Sequence, residues 1–439
     1  MDNRSLTYNK KIIDQQHQKT ILSNGLTILS LTREDVASVA IEVWVKVGSR
    51  YEDSSLNGIA HFIEHMNFKG TSKRNAKEIA EEFDAIGGYL NAYTSKEQTV
   101  YSAKVLKEFL PLSIDVLSDI MFNSVYDYEE IEKEKNVVLQ ELAQTKDNPD
   151  DLVFENFSDT IFKNQSIGRS ILGSEENINN FTRDQIIDFV HKHYSYPRII
   201  ISVAGNISHD ELLKLIEAKF TIPFSEDKKI EFESPTYTGG YSVEHNSDLS
   251  QLHLIVGYEG IPIISDDYYK LEMLSNILGG SISSRLFQEI REKRGLVYSV
   301  GSFCQYYSDT GVFGISANTS PEKINELLNV LSEEIQKIIH NISQEEVNRC
   351  LAQVKSSLHM SRETIDNWVS ILAGNYAYYN RYISREEIWQ NYAKITIEEL
   401  SNFAKKLFLK EKPITITILG DISDLPNYKQ LQELLTIKI

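Results

Sequence analysis

"SVAGNIS" at residues 202–208 returns as "TILGDIS" at residues 417–423, and this echo decides how the 439-residue chain is divided. Each string reads as a buried strand ending in a turn. Each follows a similar amphipathic stretch, "FTRDQIIDFVHKHY" from 181 and "ITIEELSNFAKKLF" from 395. Upstream, "TVYSAKVLKEFLPLSIDVLSDI" (99–120) and "GVFGISANTSPEKINELLNVLSEEI" (311–335) both pass from an alternating strand into a helix, and "YEEIEKEKNVVLQEL" (128–142) can be laid against "QEEVNRCLAQVKSSL" (344–358). The pairs keep their order and sit about 215 residues apart, the mark of an internal duplication. Alternating strands "GLTILSLT" (25–32) and "VAIEVWVKVG" (39–48) open the first copy. The expected fold is therefore α+β: two homologous sheet-plus-helix domains. "TIPFSEDKKIEFESPTYTGG" (221–240), with two prolines, two glycines and a charge cluster, is the expected linker between domains 1–220 and 241–439. Two similar domains on a long linker lead us to expect a clamshell.

Composition narrows the function classes. With 41% hydrophobic and 25% charged residues the chain is an ordinary globular protein. Its formal charge of −18, from 63 acidic and 45 basic residues, disfavours nucleic acid as a partner. The acidic excess either attracts cationic ligands to a cavity or forms a solvated surface. Cys304 and Cys350 stand alone, so neither a disulfide framework nor a cysteine zinc site is expected, and a reducing compartment fits. The polar start "MDNRSLTYNKKIIDQQHQK" lacks the apolar run of a signal peptide, and no stretch approaches the 18 apolar residues of a membrane span. No membrane association and a cytoplasmic location are the expectation.

The chemistry concentrates in "LNGIAHFIEHMNFKGT" (56–71). On a helix His61 and His65 share one face, with Glu64 beside them. Two imidazoles could bind one ion, and a hydrolytic zinc wants three protein ligands plus an open position. The order H-x-x-E-H is the inverted zincin pattern. The alternative is an ordinary amphipathic helix that carries a histidine pair. Leu56, Ile59, Phe62, Ile63 and Met66 surround the polar trio as in a helix buried beneath a site. An acidic third ligand is expected from another helix. In "EEIEKEKNVVLQELAQ" (129–144), Glu134 and Glu141 lie seven apart on one face, and the apolar "NVVL" between them points into the interior, where a bare carboxylate is costly. At the matching places of the second copy stand Cys350 and Ser357, and no H-x-x-E-H follows residue 220. One copy is expected to be catalytic and the other structural. "HKHY" at 191 is set aside, because residues two apart on a helix face away from each other.

These residues resemble the pitrilysin family of zinc peptidases, which includes insulin-degrading enzyme and mitochondrial processing peptidase. The family places a glutamate ligand 76 residues after the second histidine, and His65 plus 76 is Glu141. By this resemblance His61, His65 and Glu141 bind one Zn²⁺, Glu64 is the general base, and Glu134 supports the histidines from behind. "GGYLNAYTSKEQTVY" (87–101) is similar to the family's edge strand, which pairs with an extended substrate and would set Asn91 and Ala92 beside the scissile peptide. "SSRLFQEIREKRGLVYSV" (283–300) holds Arg291 and Tyr298 at the spacing of the family's arginine–tyrosine pair, which reaches from the second domain to hold substrate and steady the intermediate. Length and two-copy design are similar to the short bacterial members and the processing peptidase β subunit. The implied function is a zinc metalloendopeptidase that encloses unfolded peptides, basic or presequence-like ones included, and works as a homodimer. The α subunit's glycine-rich loop has only a shorter counterpart in "NILGGSISSRLF" (276–287). The implied rival is a non-catalytic scaffolding or processing-complex subunit that binds zinc without peptidase activity of its own.

Overall fold

The computed structural model describes residues 17–221, 234–422 and 425–437. The first copy begins β1 (His17–Ile21), β2 (Thr27–Thr32), β3 (Ser38–Val45), α1 (Ile59–Met66), α2 (Ala76–Ala85), β4 (Tyr89–Thr94), β5 (Thr99–Leu106) and α3 (Leu110–Phe122). It continues through α4 (Tyr128–Asp147), α5 (Pro149–Ile161), α6 (Glu175–Asn180), α7 (Arg183–His193), β6 (Ile199–Gly205) and α8 (His209–Lys219). The second copy repeats the series as β7 (Gly240–His245), β8 (Leu252–Glu259), α9 (Tyr268–Gly279), β9 (Val297–Tyr306), β10 (Gly311–Thr319), α10 (Ile324–Ile338) and α11 (Gln344–Met360). It closes with α12 (Ile365–Tyr379), α13 (Arg385–Ala393), α14 (Ile397–Leu407), β11 (Ile414–Gly420) and α15 (Tyr428–Leu435). In this series α9 stands where the first copy has α1 and α2.

The sheets match over five strands, and β1 is an addition at the edge of the first. One runs β1-β2-β6-β3-β5-β4 and the other β7-β11-β8-β10-β9. In each, one parallel pair (β2 with β6, β7 with β11) is followed by antiparallel neighbours only. The duplication is thus structural, and the α+β expectation holds. The echo that revealed it, β6 and β11, is buried along its whole length in both copies. That explains its mostly apolar character, interrupted only by the small buried hydroxyl residues Ser202, Thr415 and Thr417, since both faces are covered. The matched helices α7 and α14 start with the same capping box, Thr182 with Gln185 and Thr396 with Glu399.

Compact units cut across the boundary expected from sequence. Of the described residues, those within 1–138, 171–230 and 358–386 form one unit, and those within 139–170, 231–357 and 387–439 the other; the division falls inside α4. The copies have exchanged a helix. α5 from the first copy packs Val153, Phe157 and Ile161 against Ile255 and Leu419 of the second sheet. α12 from the second copy lays Trp368, Val369, Leu372 and Ala373 on Leu29, Trp44 and Ile200 of the first. Each exchanged helix is pinned near its start by a matched aspartate. Asp150 Oδ1 lies 2.9 Å from His253 Nδ1 and accepts from Asn318 Nδ2 at 3.1 Å, and Asp366 accepts from Lys104 Nζ at 2.5 Å. Of the expected linker, residues 222–233 lie outside the described residues. Tyr237 beyond them is buried, with its hydroxyl 2.8 Å from Thr415 Oγ1. Among the described residues no helix is long and apolar enough to cross a membrane.

The turn after β6 and β11 demands glycine in both copies. Gly205 and Gly420 have φ of 137° and 136°, a region that side chains rarely enter. A Cβ on Gly205 would also lie 2.3 Å from Ser38 O, whereas on Gly420 the nearest backbone atom is 3.0 Å away. Gly205→Ala should therefore destabilise by about 2 kcal/mol or more, and Gly420→Ala by less. Thermal unfolding of both variants beside wild type checks the order; equal shifts would contradict it.

Candidate metal centre

α1 is eight residues long, too short to persist by itself in water, so its surroundings must hold it. Ile59, Phe62, Ile63 and Met66 are fully buried and form its anchoring face. Gly58 starts the helix at φ 98°, where a Cβ would strike Leu172 O at 2.6 Å. Glu52, also buried, closes the N-terminus: its carboxylate accepts from the Gly58 and Ala60 N–H groups at 2.8 Å and from Asn57 Nδ2 at 2.9 Å. A carboxylate there satisfies helix donors and complements the helix dipole. At the other end Asn67 donates to the Tyr101 hydroxyl at 2.7 Å and accepts from the Tyr126 hydroxyl at 2.9 Å.

Held this way, α1 sets the His61 and His65 rings 4.6 Å apart at 62°. Across from them, α4 buries Ile131, Glu134, Lys135, Val138 and Leu142, positions on one helical face. Val137 of the "NVVL" run is 44% exposed, so α4 enters the interior by one stripe rather than all round. Ligand atoms of His61, His65 and Glu141 lie within 4.8 Å of one another, and among the described residues no second group of this kind occurs. Glu134 stands behind them. Its Oε1 lies 2.8 Å from His65 Nδ1, and its Oε2 takes Lys69 Nζ at 2.6 Å. Burial alone would raise the Glu134 carboxyl, but the hydrogen bonds from His65 and Lys69 prevail and hold it below the usual carboxylate range. Burial, with the neighbouring His65 charge added, pushes the His61 imidazole down to about 3, despite the opposing pull of Glu134. His61 is therefore neutral with a lone pair to give. Two imidazoles, one carboxylate and a carboxylate that fixes one imidazole from behind form a donor set that fits zinc.

Glu64 points to the edge strand. Its Oε2 accepts from Thr94 Oγ1 at 2.6 Å, at the last position of β4. β4 ends its sheet and pairs with β5 alone. Asn91 and Ala92 sit opposite Ser102 and Tyr101 and face opposite sides of the sheet. In the second copy the Arg291 guanidinium carbon lies 5.5 Å from the ring centre of the exposed Tyr298, itself on the edge strand β9, and 4.8 Å from that of Phe287. Sequence reasoning missed Glu52, Thr94 and Lys69. Lys69 lies in the turn just beyond α1, three residues after its last residue, where helical spacing no longer applies. Thr94 shares the Ala92 face by the two-residue period of a strand. Glu52 gives no local signal.

A family model described as "Insulinase (Peptidase family M16)" matches residues 27–175, and one described as "Peptidase M16 inactive domain" matches residues 180–354. The chain belongs to peptidase family M16. The first match holds His61, Glu64, His65, Glu134 and Glu141, and the second holds Arg291 and Tyr298. Among similar M16 chains, an "Uncharacterized zinc protease" of Rickettsia felis is 44% identical over 388 residues, 88% of this chain and 94% of that one. The "Mitochondrial-processing peptidase subunit beta" of Bos taurus is 32% identical over 425 residues, 94% of this chain and 86% of that one. A protease from Helicobacter pylori shares the fold with a TM-score of 0.85 at 24% identity, over 92% of this chain and 99% of that one.

The Glu134 contact yields a direct test. Glu134→Ala should weaken zinc retention about 10–100-fold in a chelator competition, because His65 loses the group that orients it, and Glu134→Gln should weaken it less. Undiminished affinity in Glu134→Ala would contradict the supporting role.

Proposed function

We propose that the protein is a zinc metalloendopeptidase, with one zinc per chain held by His61, His65 and Glu141 and with Glu64 as general base. The observation that carries this reading is the convergence of those three ligand atoms within 4.8 Å, beside Glu64 of α1, whose carboxylate accepts a hydrogen bond from Thr94 of the edge strand β4. Zinc in such a site supplies Lewis-acid polarisation of the scissile carbonyl. Glu64 takes a proton from the attacking water and returns it to the leaving amine. An extended peptide adds to β4 as a further strand, with Asn91 and Ala92 beside the scissile bond. Arg291 and Tyr298, already stacked, hold the substrate backbone and stabilise the charge that develops on the carbonyl oxygen.

Backbone pairing needs an unfolded strand, so the substrates are unfolded peptides, taken into a chamber and cut internally. The charge of −18 favours basic ones. A homodimer is the proposed assembly and the bacterial cytoplasm the proposed setting. Glu64→Gln tests the reading: zinc stays near one per chain, while cleavage of an unstructured peptide mixture falls by about 10³-fold. Zinc bound without cleavage by the wild type would return the protein to the non-catalytic reading, and absence of zinc after purification without chelator would overturn the metal site itself.

A further inference from the structure

The Glu64 carboxylate of α1 is hydrogen-bonded to a side chain of the edge strand β4. Thr94 Oγ1 donates to it at 2.6 Å from the last residue of β4, paired across the hairpin with Thr99. That end of the strand is rigidly built. The turn is closed by the Ser95 N–H on Gln98 O at 2.8 Å and by the Gln98 N–H on Ser95 Oγ at 3.1 Å. It is tied to the preceding loop by the Ser49 N–H on Ser95 O (3.1 Å), the Arg50 N–H on Lys96 O (2.9 Å) and Thr99 Oγ1 on Val47 O (3.0 Å). Arg50 and Glu97 add an ion pair of 2.6 Å between two buried side chains. The same loop runs on to Glu52, which caps α1. The hairpin and the N-terminus of the metal helix thus share one frame, and the Thr94 hydroxyl joins that frame to the carboxylate itself. Toward its other end β4 is a bare edge, with Tyr89, Asn91 and Tyr93 exposed.

We propose that Thr94 is a positioning residue that fixes the Glu64 carboxylate against the strand on which the peptide docks, so that base and scissile bond are registered by one element. This rests on the reading of Glu64 as general base. A methyl-bearing residue fills the same volume without the donor, so the inference separates a hydrogen bond from packing. A hydrogen bond to a charged group is worth about 10–100-fold in a rate that depends on it. The docking edge itself consists of β4 backbone, which the substitution leaves in place.

The test compares wild type, Glu64→Gln, Thr94→Val and Thr94→Ser, each with its zinc content measured, its steady-state kinetics on an unstructured peptide and its zinc-loaded crystal structure. The expected result is near-stoichiometric zinc in all four. In Thr94→Val, kcat should drop about 10–100-fold at nearly constant KM with the Glu64 carboxylate moved from its wild-type place, and Thr94→Ser should restore both. Thr94→Val cutting as fast as wild type, a loss confined to KM, an unmoved carboxylate, or a Thr94→Ser variant as slow as Thr94→Val would each overturn the inference while leaving the proposed function intact. A wild type that binds zinc but cuts nothing would overturn the proposed function, and this inference with it.

Discussion

The buried carboxylate of Glu52 at the N-terminus of α1 is the interaction on which the metal centre depends. An eight-residue helix cannot hold two histidines and a glutamate in register by its own hydrogen bonds. It is made rigid by full burial of Ile59, Phe62, Ile63 and Met66, by Glu52 at one end and by the Asn67–Tyr101–Tyr126 hydroxyl network at the other. Given that frame, His61 and His65 emerge on the same side, and the remaining polar groups have defined tasks. Glu134 orients His65, Lys69 holds Glu134, and Thr94 holds Glu64. Of these groups Glu134 is buried, and its carboxylate would be costly there without His65 and Lys69.

The duplication shows what the site costs and what the second copy gave up. Cys350, in the place of Glu134, is buried in the apolar core of its unit, and its thiol is pushed up to about 12 by burial. Ser357, in the place of Glu141, is exposed. α9, in the place of α1, buries Leu271, Met273, Leu274, Ile277 and Leu278. The same architecture that supports a polar cluster in one copy packs as ordinary core in the other, consistent with a family model that describes the second region as an inactive domain.

Much of this was legible in the sequence, and the rest failed for identifiable reasons. The strands and helices of the repeated stretches followed from hydrophobic period, and the repeat was readable because β6 and β11 are buried on both faces and stay mostly apolar. The His61–His65 pair was legible because helical spacing brings i and i+4 together wherever the helix lies, whereas Glu141 was singled out from Glu134 only by the family resemblance. The structure brings the ligand atoms of all three within 4.8 Å of one another. The helix exchange was not legible: α5 and α12 each have an apolar stripe, and a stripe does not say which sheet it covers. The "NVVL" run was read as interior, yet Val137 faces solvent, since three consecutive apolar residues, Val137 to Leu139, span more of a helix than one buried stripe. Glu52 and Thr94 act across turns and between elements, where no local periodicity marks them.

The central claim is that one zinc is held by two imidazoles and one carboxylate, and zinc-edge X-ray absorption on the wild-type protein tests it most directly. The expected spectrum has a first shell of nitrogen and oxygen at about 2.0–2.1 Å with imidazole outer-shell scattering from two histidines, and loses one of these in His61→Ala. A sulfur shell near about 2.3 Å, or a spectrum unchanged in His61→Ala, would place the metal elsewhere and contradict the account.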